Sequence, residues 1–444
     1  MIKTAFTTSG VMRGLPAADP RIIAYKGIPF AAPPVGNLRW RAPQPYEASE
    51  LIRDCYAFAP ISMQSIPGLN KDNIYTREWN VDPEIPMDED CLYLNVWTPA
   101  ETKEDNLPVF VWFFGGALQW GNCAEMEFDG ERIARRGIVV VTVNYRLNVF
   151  GFLTHPDMKE ESPKDYCNIG HLDQQYGLKW IKENIAAFGG NPDEITIGGQ
   201  SAGGASVMAQ LNHPKNKKYV KRAIVSSGVF SPKHDIPFRI TMEESERQSI
   251  EFFHFLGVNT LEEARQLPAE YIRDKNNEFH KFWGTVTDGF FQTDEVWNNL
   301  QKGKSLDVPM LIGYTKDEFI FDGVNSMQQG AQMIAEAREK SGYESPLYMY
   351  EFGADIPGED HPGAFHSVDL WFFFETLAKC WRPFQGKDYD LARQMCNYWC
   401  EFIKSGNPNG KDNDGTDMEV WNPYTEKQPD KMGFYDTPTA FTSD

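Results

Sequence analysis

Gly199-Gln200-Ser201-Ala202-Gly203-Gly204 sets a serine between glycines directly after the β-branched run Ile195-Thr196-Ile197. A serine on so sharp a strand-to-helix turn projects its hydroxyl into a cleft as a nucleophile. With 36 glycines in 444 residues a G-x-S-x-G match arises by chance often enough that the surroundings have to carry the reading. Upstream, residues 173–188 place Leu178, Ile181 and Ile185 close to a helical period and stop at Gly189-Gly190, a helix C-terminal signal. Downstream, residues 202–211 are rich in Ala, Met and Leu and predict the helix that follows the turn.

The same alternation extends along the chain. Strands are expected at 109–113, 138–143, 195–197, 222–226, 308–312 and 347–352, several of them continuously apolar, as buried parallel strands are. Helical stretches separate them, which predicts an α/β fold with a large, mostly parallel central sheet flanked by helices. No Pro/Ser-rich linker, low-complexity tract or internal repeat divides the chain, so one domain over 1–444 is expected.

A serine hydroxyl is a poor nucleophile until a base takes its proton, and the base needs a third group to hold its ring. In α/β-hydrolases that order along the chain is serine, acid, histidine, which leaves His213, His234, His254, His280, His361 and His366. His213 ends the same helix as Ser201 and cannot curl back to its hydroxyl. His234, His254 and His280 lie in polar or helical surroundings that suit a solvated ring. His361 and His366 flank Pro362-Gly363-Ala364, beyond the strand at 347–352, where this kind of sheet presents catalytic side chains.

Several further stretches carry a resemblance. Gly27-Ile28-Pro29-Phe30-Ala31-Ala32-Pro33-Pro34, Glu89-Asp90-Cys91-Leu92-Tyr93-Leu94-Asn95-Val96 and Asn144-Tyr145-Arg146-Leu147 are among them. So are Asp317-Glu318, Gly363-Ala364-Phe365-His366-Ser367-Val368-Asp369-Leu370 and the run from Tyr398 to Gly410. With the serine turn, these motifs resemble the type-B carboxylesterase family, which includes the cholinesterases, from about residue 10 to about residue 425. The resemblance implies the α/β-hydrolase fold, Ser201 as nucleophile, Glu318 as orienting acid and His366 as base. Glu318 also follows the apolar run 308–312, at the carboxyl end where open sheets assemble their sites. Its neighbour Asp317 is a rival that the strand alone does not exclude.

Phe113-Phe114-Gly115-Gly116-Ala117 matches the family's glycine-rich oxyanion loop. It implies three backbone donors, the N–H groups of Gly116, Ala117 and Ala202, facing the oxyanion of a tetrahedral intermediate. Phe114 stands where many relatives have histidine, and Ala117 replaces the last glycine. Neither change deletes a backbone donor, although the alanine methyl restricts the loop's angles. Gln200 replaces a glutamate found before the serine in many relatives, and Ser227 matches a serine that supports the triad. Leu118, Trp283, Phe319 and Phe365 are candidates for the substrate pocket, with Trp283 expected to favour short acyl chains. Trp79 lies too far from Cys91 to match the tryptophan that binds choline in cholinesterases. Glu318 precedes His366 by only 48 positions, so the helical region over the site, about 319–346, is expected to be shortened and the pocket more open. Glu89 and Arg146 are expected to pair beneath the site, as in relatives.

The resemblance implies a serine carboxylesterase that works on a small-molecule ester through an acyl-enzyme, with no metal or organic cofactor. The same serine would also serve amides, lactones or carbamates, and a non-catalytic interaction module is the alternative of another class. A base must be neutral to act, so activity is expected to fall in acid. Net charge −20, from 43 basic and 63 acidic residues, repels nucleic acid and anionic lipid alike. No signal-like segment opens the chain and no run of about twenty apolar residues occurs, so a soluble, cytoplasmic, membrane-free chain is expected. Seven cysteines show no zinc spacing. Cys91 matches a disulfide cysteine of secreted relatives, but Ser62 stands at its partner's place, which favours a reducing compartment and leaves Cys55 as an alternative partner.

Overall fold

A computed structural model describes residues 1–234 and 240–442. Its centre is one sheet of eleven strands. In chain order these are β1 Leu15–Pro16, β2 Ile23–Pro29, β3 Tyr93–Thr98, β4 Leu107–Phe113, β5 Val139–Val143, β6 Gly190–Gln200, β7 Arg222–Ser226, β8 Met310–Thr315, β9 Leu347–Phe352, β10 Asp430–Phe434 and β11 Pro438–Thr442. They lie in the order β11-β10-β9-β8-β7-β6-β4-β5-β3-β2-β1. Pairs from β5 across to β10 are parallel, while β11 at one side and β3, β2 and β1 at the other join antiparallel. A separate small sheet joins Thr4–Thr7, Gly10–Arg13 and Ser49–Asp54.

Apolar content on both faces of each central strand explains why the sheet is buried between helices. On β4, Val109, Val111 and Phe113 point into one core with Leu178, Val207 and Ile334, while Phe110 and Trp112 point into the other with Phe373, Trp399 and Phe402. Helices α1 (Ile169–Asn184), α2 (Ala202–Asn212), α3 (Ser326–Lys340) and α4 (Gly386–Ser405) supply those partners, except Phe373, which ends the short helix Asp369–Phe373. The helix read at 173–188 begins earlier, at Ile169, and runs on as a 3-10 turn to Gly189.

Strand register sets the position of the site. Phe113 pairs with Gly199, Ser226 with Gln200 and with Gly313, and Phe352 with Thr315. The carboxyl ends of β4, β6, β7, β8 and β9 therefore form one row, and the loops after them open on the same side. The strand expected at 308–312 starts at Met310 and extends to Thr315, because Pro309 has no N–H to give the ladder.

One expectation is corrected. Glu89 is paired by both arms of the Arg39 guanidinium at 2.6 Å, and Arg146 by Asp173 at 2.6 and 2.8 Å, so Glu89 and Arg146 are not partners. All seven cysteines are free, and the Cys55 thiol lies against the sulfur of Met12 rather than against Cys91. Within the segment 319–346, α3 packs onto β8, and Phe319 and Met327 reach the cavity described below. Among the described residues no helix is long and apolar enough to cross a membrane.

Candidate active site

Strand β6 ends at Gln200, and α2 begins at Ala202. Ser201 alone makes the reversal, with φ 56° and ψ −126°, a conformation costly for any residue with a Cβ. The turn is this sharp because its glycines let backbones touch. A Cβ on Gly203 would lie 2.0 Å from the carbonyl oxygen of Phe113, and one on Gly199 would lie 2.3 Å from that of Gly203. Ser201 N–H donates to the Ser226 carbonyl at 2.9 Å, which ties the turn to the end of β7.

The ring of His366 reaches the serine from the loop after β9. Ser201 Oγ lies 2.8 Å from His366 Nε2, and the other nitrogen, Nδ1, faces Glu318 Oε2 in a short hydrogen bond. An ionised carboxylate only accepts, so Nδ1 carries the proton and Nε2 offers a lone pair toward the serine. Glu318 is 2% exposed, and its Oε1 accepts from Thr315 N–H at 2.8 Å and Ser227 Oγ–H at 2.7 Å. Asp317 is turned away. Its carboxylate accepts from Ala364 N–H at 2.8 Å and so clamps the loop that carries His366. Gln200 donates to Ser367 Oγ at 2.7 Å and sits 3.2 Å from His366 Nε2. His361, the other loop histidine, is exposed, and His213 stacks on Phe291 in the interior.

Phe114 stacks on Tyr145 with ring centroids 4.3 Å apart, and the Tyr145 hydroxyl donates to the Phe114 carbonyl at 2.7 Å, which anchors the next loop. That loop turns through positive φ at Gly116 (99°), Ala117 (53°) and Leu118 (63°). Only glycine fits at 116, where a Cβ would stand 2.1 Å from the Trp120 carbonyl oxygen. Gly116, Ala117, Leu118, Ala202, Ser201 and His366 all line one cavity of about 680 Å³.

The carboxylesterase family model matches residues 3–341 and 324–443. The para-nitrobenzyl esterase of Bacillus subtilis is 33% identical over 91% of this chain and 89% of its own length. The fumonisin B1 esterase of Sphingopyxis macrogoltabida is 34% identical over 90% of this chain and 82% of its own. Among solved structures, a PNB esterase superposes with a TM-score of 0.85 at 27% identity, covering 99% of this chain and 97% of that one. A carboxylesterase of Geobacillus stearothermophilus gives 0.84 at 29% identity, with coverage of 99% and 97%. The chain belongs to the carboxylesterase family. It is a carboxylic ester hydrolase with the α/β-hydrolase fold.

Of the esterase's expected pocket residues, Leu118, Trp283 and Phe319 line the cavity. Phe319 packs edge-on against His366 with centroids 4.6 Å apart. Phe365 does not line it. Its ring stacks behind Trp79 and against the Arg382 guanidinium, because neighbours on this loop point to opposite sides. Trp283 is 1% exposed and packs with Phe252 and Phe279, so much of its bulk lies in the core where it borders the cavity.

Other lining residues of the esterase went unread or, in the case of Trp79, were set aside. Tyr75 and Trp79 reach the cavity from the segment before Cys91, and Tyr75 meets the His366 ring edge-on at 6.3 Å. Glu125 and Glu127, beyond the glycine loop, also line it. Alternation of charged and apolar residues in Glu125-Met126-Glu127-Phe128 was the available signal, but it reads equally as a solvated turn.

Proposed function

We propose that the esterase hydrolyses carboxylic esters through an acyl-enzyme, with Ser201 as nucleophile, His366 as general base and acid, and Glu318 as the acid that orients the ring. One observation carries this reading: the two nitrogens of the His366 ring face Ser201 and Glu318 at once. Ser201 Oγ attacks the ester carbonyl while Nε2 takes its proton. The acyl–oxygen bond then breaks as Nε2 returns that proton to the leaving alcohol. Water, deprotonated by the same nitrogen, attacks the acyl carbon, and Ser201 recovers its proton as the acid departs.

The N–H groups of Gly116, Ala117 and Ala202 are the donors for the oxyanion. In support, they border the serine in the cavity, and among the described residues none of them donates elsewhere. Ala202 stands at the start of α2, where helix polarity adds to the attraction. Glu318, held by Thr315 N–H and Ser227 Oγ–H, keeps the tautomer that leaves Nε2 free to accept.

The test is a panel of phenyl and alkyl esters assayed with the parent protein and Ser201→Ala. The alanine variant is expected to lose at least roughly a thousandfold in kcat, in line with removal of a triad nucleophile. Turnover near the parent's would move the chemistry to another group.

A further inference from the structure

Glu125 and Glu127 share the cavity of Ser201 and His366. Glu127 is 0% exposed, and among the described residues no Lys, Arg, hydroxyl or amide of another residue donates to either of its carboxyl oxygens. The group beside it is the carboxyl of Glu125, close enough to share a proton. Glu125 is partly exposed and accepts from Asn122 alone, at 3.0 Å from the backbone N–H and 3.5 Å from the side-chain amide. Burial pushes both carboxyls above the usual carboxylate range, and the charge of Glu125 raises Glu127 further. Nothing in the cavity wall offsets their charge. Among its described lining residues there is no Lys or Arg, while Glu295 adds a third acid. Glu78, whose charge also bears on Glu127, is already paired with Arg382.

A buried carboxyl with no donor from another residue, beside a second acid held by Asn122 alone, is costly unless a ligand brings both positive charge and N–H groups. We propose that Glu125 and Glu127 recognise a protonated primary or secondary amine on the ester substrate. The inference rests on the ester-hydrolase reading of the same cavity. An R–NH₃⁺ group offers three N–H donors and a charge, enough to replace the proton shared by the pair and to satisfy Glu127 as well. A quaternary ammonium brings the charge without donors. An alcohol brings one donor without the charge. The rings of Tyr75, Trp79 and Phe128 line the same cavity and attract any organic cation, so N–H donation to the carboxyls is what separates an amine from a quaternary ion.

The experiment measures competitive inhibition of phenyl acetate hydrolysis by butylammonium, butyltrimethylammonium and 1-butanol, with the parent and with Glu127→Gln. Calorimetric titration of butylammonium into both proteins runs alongside. In the parent, butylammonium is expected to inhibit at concentrations at least about tenfold below either comparator, the range of a charge-assisted hydrogen bond. In Glu127→Gln that advantage is expected to shrink to about threefold or less, with the same loss in the titration. Glu125→Gln is measured in the same way and decides if the first variant does not fold. Equal potency of the three compounds on the parent, or an advantage undiminished in the variants, overturns the inference. Absence of phenyl acetate turnover would count against the ester-hydrolase reading, and the titration would still decide the amine site.

Discussion

Asp369 sits three residues past His366, fully buried, with the Tyr350 hydroxyl donating to one of its oxygens at 2.8 Å and no partner on the other. Burial first, and the charge of Glu318 second, raise this carboxyl to about 7. In the unfolded chain it titrates near 3.9. Between those values the native protein keeps a proton that the unfolded chain has lost, so native stability declines as pH rises through this window. Asp369→Asn keeps an acceptor for Tyr350 and removes the titration. Its melting temperature is expected to gain on the parent's between pH 5 and pH 8, by an amount reflecting a few kcal/mol at most, at about 1.4 kcal/mol per unit. A difference between the two proteins that stays constant with pH would refute the assignment. The Glu318 and Asp317 neighbours show what sequence could and could not say at this scale. Both follow the same strand, and only the fold reveals that Asp317 faces a backbone N–H while Glu318 faces the ring.

The short helix Ile74–Glu78 is the element that brings Tyr75 and Trp79 to the cavity. Its anchor is an ion pair with both side chains 0% exposed: Arg382 holds Glu78 at 2.6 and 2.9 Å and spans to Asp360 at 2.9 Å. With all seven cysteines free, a charge pair supplies the tie for this stretch. Breaking one side leaves a charge buried without its counter-ion. Arg382→Met is expected to destabilise by about 3–5 kcal/mol in urea unfolding, and Arg382→Met with Glu78→Met to recover most of that loss. A double variant as weak as the single one would show that the pair is not what holds the segment. No local pattern announces such a tie, because its members lie 304 positions apart. The same reason explains the exchanged partners of Glu89 and Arg146. Four charges, with Arg39 and Asp173, meet in one buried region, and composition names the charges without naming the pairs.

For the molecule as a whole, the alternation of apolar strands with helices made the doubly covered sheet legible, since each central strand must hide both faces. The antiparallel margins were not read. β10 and β11 are short, carry Lys431, Gly433 and Pro438, and resemble loop composition more than strand. Seven separate thiols imply that covalent cross-links take no part in stability, so dithiothreitol is expected to leave the melting temperature unchanged. A fall in its presence would reveal a disulfide. The two margins have a consequence of their own. One ends in the dipeptide strand Leu15–Pro16 and the other in a strand opening at Pro438, and proline offers a neighbour no amide hydrogen. A second polypeptide seeking to zip onto either border meets a position that cannot donate, which weakens that border as a template for fibrous growth.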